Sequence, residues 1–179
     1  MSNNVIIMNF DSESKSYQAF SEIKKMHVEK QIKGEQMAIL EHKPNHQLEP
    51  KEFIDFNGPD KNMKGGLIGM LVGVLAGPLG VLLGWFTGSL IGSVQDAKEI
   101  KGAMSVFEET IDIIHEGDTG LILIAEEDDN RFINELVFQK LDGRITRLAV
   151  EDVEKEIELA KETQENVEDH AKKSWSDRK

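Results

Sequence analysis

The sequence predicts an α+β protein: a ferredoxin-like sandwich, split by an apolar glycine-zipper helical hairpin and followed by a charged C-terminal helix. Three observations predict it. Two strand-helix-strand patterns, one in residues 1–62 and one in 96–150, are the units from which such a sandwich is built. Between them, in 63–95, Lys64 and Asp96 bracket thirty-one consecutive positions without a formal charge, and glycine recurs there every fourth residue. From 151 to 179 the composition turns sharply acidic, then basic, and no further strand pattern follows.

The first half reads β-α-β. Val5-Ile6-Ile7-Met8-Asn9-Phe10 is short, apolar and β-branched, as a buried strand is. Asp11 or Ser12 caps the next helix, and Glu13 stands in its first turn, where the helix dipole favours an anion. Tyr17, Phe20, Ile23 and His27 form a stripe on one helical face. Gly34 ends the helical region, and Gln36 to Glu41 is the second strand. Pro44 and Pro50 break the chain, and Phe53 to Phe56 is a short edge strand that Asn57-Gly58-Pro59 turns.

In the apolar segment Gly65, Gly69, Gly73 and Gly77 form one series, and Gly80, Gly84, Gly88 and Gly92 a second, with Pro78 at the turn. A spacing of four aligns each series along one side of a helix, where another backbone can approach closely. In water the same stretch is a poor helix, because eight glycines oppose helix formation by about 8 kcal/mol relative to alanine. Lipid or a close-packed assembly removes that alternative.

The second half reads helix, strand, helix, strand. Ile100, Met104, Phe107, Ile111 and Ile114 make an amphipathic stripe that Gly117 closes. Leu121 to Ala125 is a continuous apolar run, suited to a central strand covered on both faces. Asp128 or Asp129 starts a helix carrying Phe132, Leu136 and Val137. Asp142-Gly143 turns the chain into a strand over 144–150. In the tail, residues 151–169 hold nine acids and two lysines. Val153, Ile157, Ala160, Val167 and Ala171 give a thin heptad seam, which reads as a solvated helix packing weakly on the domain, or as a coiled coil. Trp175 beside Lys172, Lys173 and Arg178 suits a bilayer surface, or else is a frayed end.

If both halves complete one sheet, they lie on the same side of any bilayer, so the apolar segment enters and returns, with Gly77-Pro78-Leu79-Gly80 as its turn. A single kinked span is the rival. Thirteen residues from Gly65 to Gly77 make a helix of roughly 20 Å against a hydrocarbon core of about 30 Å, so a hairpin must thin the bilayer or stop partway.

The G-x-x-x-G series around Gly77-Pro78-Leu79-Gly80, the trailing Gly88 and Gly92, Asp96, and the Glu116-Gly117-Asp118-Thr119-Gly120-Leu121 turn into an apolar strand together resemble a family of bacterial predicted membrane proteins. That family carries a glycine-zipper hairpin inserted in a small α/β domain, and its activity is itself not established. The resemblance spans roughly residues 4 to 150 and implies a bacterial, membrane-associated protein.

Composition and motifs narrow the chemistry. The net charge of −12 argues against nonspecific nucleic-acid binding, which needs basic surface. Without cysteine there is no thiolate ligand, disulfide or cysteine nucleophile. Mean hydropathy is −0.38, so the apolar segment is an island in a polar chain. The N-terminal residues have no basic stretch and only Val5 to Met8 as an apolar run, so nothing there reads as a secretion signal. His42 and His46 have helical ligand spacing, but Pro44 between them prevents a shared face, which leaves two solvent-facing loop histidines and no metal site. His27 and His115 have no evident partner. Ser89, Ser93 and Thr87 read as hydrogen-bonding groups between apolar helices. No Walker A or G-x-G-x-x-G motif occurs. Asp128-Asp129 reads as a helix start and Glu126-Glu127 as a solvated strand end.

The sequence therefore predicts a non-enzymatic protein of the bacterial cytoplasmic membrane, its soluble parts facing the cytoplasm, with no cofactor. Its partners are the lipid bilayer and further copies of itself, and the class suggests envelope stress or membrane organisation. The packing residues are Gly65, Gly69, Gly73, Gly77, Gly80, Gly84, Gly88 and Gly92. The alternatives are a soluble homo-oligomer that binds a small ligand while its hairpins bury one another, and an enzyme with a site in the sheet cleft.

Overall fold

The computed structural model describes residues 3–44, 48–58, 66–76, 109–110 and 112–176. Its centre is a five-stranded antiparallel sheet of strands β1 (Asn3–Asn9), β2 (Lys33–His42), β3 (Leu48–Asp55), β4 (Thr119–Glu126) and β5 (Arg144–Ala149), in the order β3-β2-β4-β1-β5. Helix α1 (Glu13–Val28) joins β1 to β2, and α2 (Leu67–Leu75) follows β3. Helix α3 (Arg131–Asn134) joins β4 to β5 and widens into a π-helical turn at Glu135–Lys140. Helix α4 (Val150–Ser176) follows β5 directly. The fold is α+β, and strands from the two halves of the chain interleave, since β4 pairs with both β1 and β2.

Alternation along the strands divides the core in two. Ile6, Met8, Met37, Ile39, Leu121, Leu123 and Ala125 face α1 and α3, meeting Ala19, Phe20, Ile23, Ile133, Leu136 and Val137. Val5, Ile7, Ala38, Leu40, Ile122 and Ile124 face the other way, meeting Ile68, Leu71, Val72, Val74 and Leu75 of α2 and Val153, Ile157 and Ala160 of α4. Helices thus cover both faces. This is why β1 and β4 read as unbroken apolar runs rather than alternating ones.

Several expectations need correction. Helix α1 ends at Val28, with Lys30 at φ 62° reversing the chain, and Gly34 belongs to β2. A Cβ at Gly34 would lie 2.8 Å from the Phe56 ring, so glycine is needed there for close packing rather than as a stop. Pro50 does not break the chain. It sits inside β3, an edge strand, opposite Leu40 where the register shifts, and such a place tolerates a missing N–H. The strand expected at Phe53 accordingly begins five residues earlier, at Leu48.

His42 is no loop residue. It ends β2 with 3% exposure, its Nδ1 lies 3.0 Å from the Ile114 carbonyl, and its backbone N–H donates to Asp118 O. His46 lies outside the described residues. Glu127 is not solvated either: its side chain is 3% exposed and accepts two hydrogen bonds from Arg147, at 2.7 and 2.9 Å. The tail is more than a weakly packed helix, because Val153, Ile157 and Ala160 are among the most buried residues in the molecule. Of the amphipathic helix expected over 100–114, residues 109–110 and 112–113 are described and helical, and Gly117 (φ 91°) does reverse the chain after it.

Candidate functional site

Helix α2 is the described part of the apolar segment, and its two sides differ in kind. Gly66 is its N-cap residue and Ala76 its C-cap. A Cβ at Gly66 would fall 2.2 Å from the Gln36 amide nitrogen, so any larger residue there must displace the end of that side chain, which donates to Asp55 at 3.4 Å. Ile68, Leu71, Val72 and Leu75 recur at three, one and three, the spacing of one helical face, and all are buried against the sheet and α4. Leu67–Leu75 is nine residues, roughly 13 Å of helix. Among the described residues, no helix is long and apolar enough to cross a membrane.

The other side of α2 presents Gly69, Gly73 and Ala76 in one stripe. Gly73 and Ala76 are exposed and Gly69 half-buried. A Cβ built on Gly73 meets nothing within 4 Å. Met70 borders the stripe, and Lys161 of α4 reaches its sulfur at 3.7 Å. Every side chain on this outward side is apolar or absent, whereas a helix facing water normally carries polar residues there. At Gly73 this side is thus open, while Ile68, Leu71, Val72 and Leu75 hold the helix to the sheet.

Gly65, Gly77, Pro78, Gly80, Gly84, Gly88 and Gly92 lie outside the described residues, as do Thr87, Ser89 and Ser93. Lys172, Lys173 and Trp175 belong to the last turns of α4, which runs without a break to Ser176. The sequence did not reveal the four-residue inner face of α2. Its signal was present, because Ile68, Leu71, Val72 and Leu75 keep helical spacing, but in a run with no polar residue for contrast the glycine period dominates the reading.

Polar chemistry gathers at two other places. At one end of the sheet, Asn9 donates to Asp118 at 2.8 Å, and His115 Nδ1 lies 3.7 Å from the same carboxylate and 3.3 Å from Arg144. Asn9 Oδ1 also accepts from the Phe10 N–H, so this network fastens the β1–α1 corner to the turn before β4. At the opposite end an open cleft of about 640 Å³ is lined by His27, Lys30, Lys33, Glu126 and Asp128. His27 accepts the Gly34 N–H at 3.0 Å and lies against Phe56, with ring centroids 4.4 Å apart, and Lys33 pairs with Glu126 at 3.4 Å. Asp118 and Gly34 lie only three and seven residues beyond His115 and His27, whereas Arg144 and Phe56 come from distant segments that their sequence neighbourhoods do not show.

Among the described residues, the perturbed titrations are at surface ion pairs. A hydrogen bond from Lys140 holds Glu22 below the ordinary glutamate range, and Arg131 does the same to Asp129 by donating at 2.6 Å and from its backbone N–H. Glu49 is lowered by Lys43, and Lys51 is raised by Glu41. These pairs hold strand and helix ends. Among the described residues, no three His, Asp or Glu side chains converge as metal ligands. No protein-family model, curated protein or solved structure matches this chain.

Proposed function

We propose that this chain is a non-enzymatic, membrane-associated protein of the bacterial cytoplasmic membrane, whose cytoplasmic α/β domain self-associates through its glycine-lined apolar segment. The domain is read as a ferredoxin-like sandwich with an extra edge strand, β3. Support for that comes from the order β2-β4-β1-β5, in which each β-α-β unit encloses one strand of the other.

One observation carries the functional reading: the outward side of α2, where Gly73 stands exposed under open space in a helix without a single polar side chain. A glycine inside a helix costs about 1 kcal/mol relative to alanine. At Gly73 no described neighbour requires it. Close approach of another helix backbone accounts for the cost, and lipid or a second apolar surface accounts for the missing polar face. Residues 77–95 continue the chain from this point with no formal charge, and they are the part assigned to the bilayer.

The test is flotation of the purified full chain with phosphatidylethanolamine–phosphatidylglycerol vesicles, together with crosslinking of Gly73→Leu. The wild type floats and crosslinks into oligomers. The leucine variant floats and crosslinks far less. Oligomers that survive the substitution remove the glycine face as the association surface.

A second reading has its own support. Ile68, Leu71, Val72, Val74 and Leu75 sit in the domain core, so the apolar segment begins as a structural element of the domain. On this reading the protein is a soluble homo-oligomer in which the outward faces of α2 cover one another, with the cleft beside His27 open to a small ligand. A chain that crosslinks and does not float selects this reading.

A further inference from the structure

We infer that β5 is a docking edge for a second copy of this chain, the two β5 strands pairing antiparallel about a two-fold axis at Thr146 and joining two sheets into one. This surface is separate from the outward side of α2 and does not depend on the membrane reading. The strand order β3-β2-β4-β1-β5 leaves two edges, and they are built differently. β3 is closed to a partner: Pro50 lacks an N–H, the register shifts beside it, and exposed Lys51 and Glu52 follow. β5 has none of these devices. It holds neither proline nor lysine, and its ladder with β1 runs from Arg144 to Ala149 without a shift. Among the described residues, that ladder is the one it makes.

The sequence of β5 suits pairing with itself. Directly opposed residues of an antiparallel ladder share a face, so the two-fold axis falls on a residue and not between two. An axis at Arg147 opposes two arginines, and an axis at Ile145 or Leu148 leaves half the strand unpaired. An axis at Thr146 pairs the strand from Arg144 to Leu148 with no like charges opposed. Thr146 then meets Thr146, Ile145 meets Arg147, and Arg144 meets Leu148. A threonine pair across strands is itself favourable.

Charge complementarity favours the same register. Beside β5 an open cleft of about 440 Å³ is lined by Leu148 and three acids, Glu109, Asp152 and Glu156, with Arg147 and Lys155 as its cations. The Arg147 guanidinium is committed to Glu127, at 2.7 and 2.9 Å. Arg144 of the second copy, set opposite Leu148, brings a guanidinium to this acidic cleft. In the single chain Arg144 is exposed, 3.3 Å from the His115 ring. The two-fold axis fills both clefts alike, so the contact closes as a dimer. Backbone hydrogen bonds supply its affinity, and the arginines fix its register.

The chain lacks cysteine, so single cysteines report without background. Full-length Thr146→Cys, in mild detergent under mild oxidation, should form disulfide dimers about tenfold faster than Ala149→Cys. The axis sets the two 146 positions about 5 Å apart and the two 149 positions about 20 Å apart. Arg144→Glu should weaken dimerisation about tenfold, read by size-exclusion chromatography with light scattering, and adding Asp152→Arg should restore it. Gly73→Leu should leave crosslinking at 146 unchanged, which separates this edge from the α2 face. Equal rates at 146 and 149, or a dimer indifferent to Arg144→Glu, overturns the inference and leaves the membrane reading standing. Crosslinking at 146 that disappears in Gly73→Leu also overturns it, assigning association to the α2 face alone.

Discussion

Truncating Leu71 to alanine asks whether α2 is part of the folded domain or an appendage lying on it. Leu71 is 0% exposed and packs in the cluster that joins α2 to Val5, Ile7, Ala38 and Leu40 of the sheet and to Val153 and Ile157 of α4. Removing the branched end of the side chain, three carbons, from a fully packed site loses its transfer free energy and leaves a cavity, together about 2–5 kcal/mol. Met70, one residue away, is half-buried on the border of the outward stripe, and Met70→Ala should cost clearly less, about 1 kcal/mol. Urea unfolding followed by far-ultraviolet circular dichroism measures both. At about 2 kcal/mol per molar for a domain of this size, Leu71→Ala moves the midpoint down by about 1–2.5 M with an unchanged slope. A shift as small as that of Met70→Ala would refute the reasoning. It would mean that α2 is not held in the cooperative unit, and that the second sheet face is closed by α4 and other residues alone.

Three further predictions test particular contacts. Gly143→Ala should destabilise by about 1–3 kcal/mol in the same unfolding assay, because its Cβ would stand 2.5 Å from the Phe10 ring and 2.7 Å from the Asn9 carbonyl oxygen, a backbone atom with little freedom to move. Arg147→Ala should cost about 3 kcal/mol, since it strands the Glu127 carboxylate in a site where that side chain is 3% exposed, and adding Glu127→Gln should restore part of the loss. Lys140→Ala should return Glu22 to the ordinary glutamate range in a nuclear magnetic resonance titration. A carboxyl lowered in the folded state contributes stability above its unfolded pKa that disappears as pH falls through the folded one, so the variant should lose less stability on acidification than the wild type does.

The sequence made parts of this fold legible because their signals are local. β1 and β4 are read from unbroken apolar runs, and their central position in the sheet, covered on both faces, is the physical reason for those runs. The α1 stripe holds at Phe20 and Ile23, which are buried, and fades at His27, which turns to the Gly34 N–H. Pairing across the chain is not local. Glu127 and Arg147 are ordinary strand-end and strand residues until β5 lies beside β1 and the β4–α3 corner folds over it. The packing of the C-terminal helix is faint in the sequence because its buried stripe is only Val153, Ile157 and Ala160 in an acidic run, and the sheet face that receives it has no mark in the tail itself. At the candidate site, the glycine period was legible and the inner face of α2 was not, since a sequence without polar residues does not say which apolar side meets a protein and which meets something else.

The central claim is a division of labour within the apolar segment: residues 66–76 close the domain core, and residues 77–95 meet the bilayer. Replacing 77–95 with a glycine-serine linker of equal length tests it most directly, because loop length, and hence closure entropy, is unchanged. The account predicts a protein that unfolds cooperatively in urea, retains the Leu71→Ala effect, and stays at the bottom of the flotation gradient. A variant that still floats would contradict the claim, transferring the anchor to α2 itself or to the C-terminal turns of α4 that carry Lys172, Lys173 and Trp175. So would a variant that fails to fold, because residues 77–95 would then belong to the core.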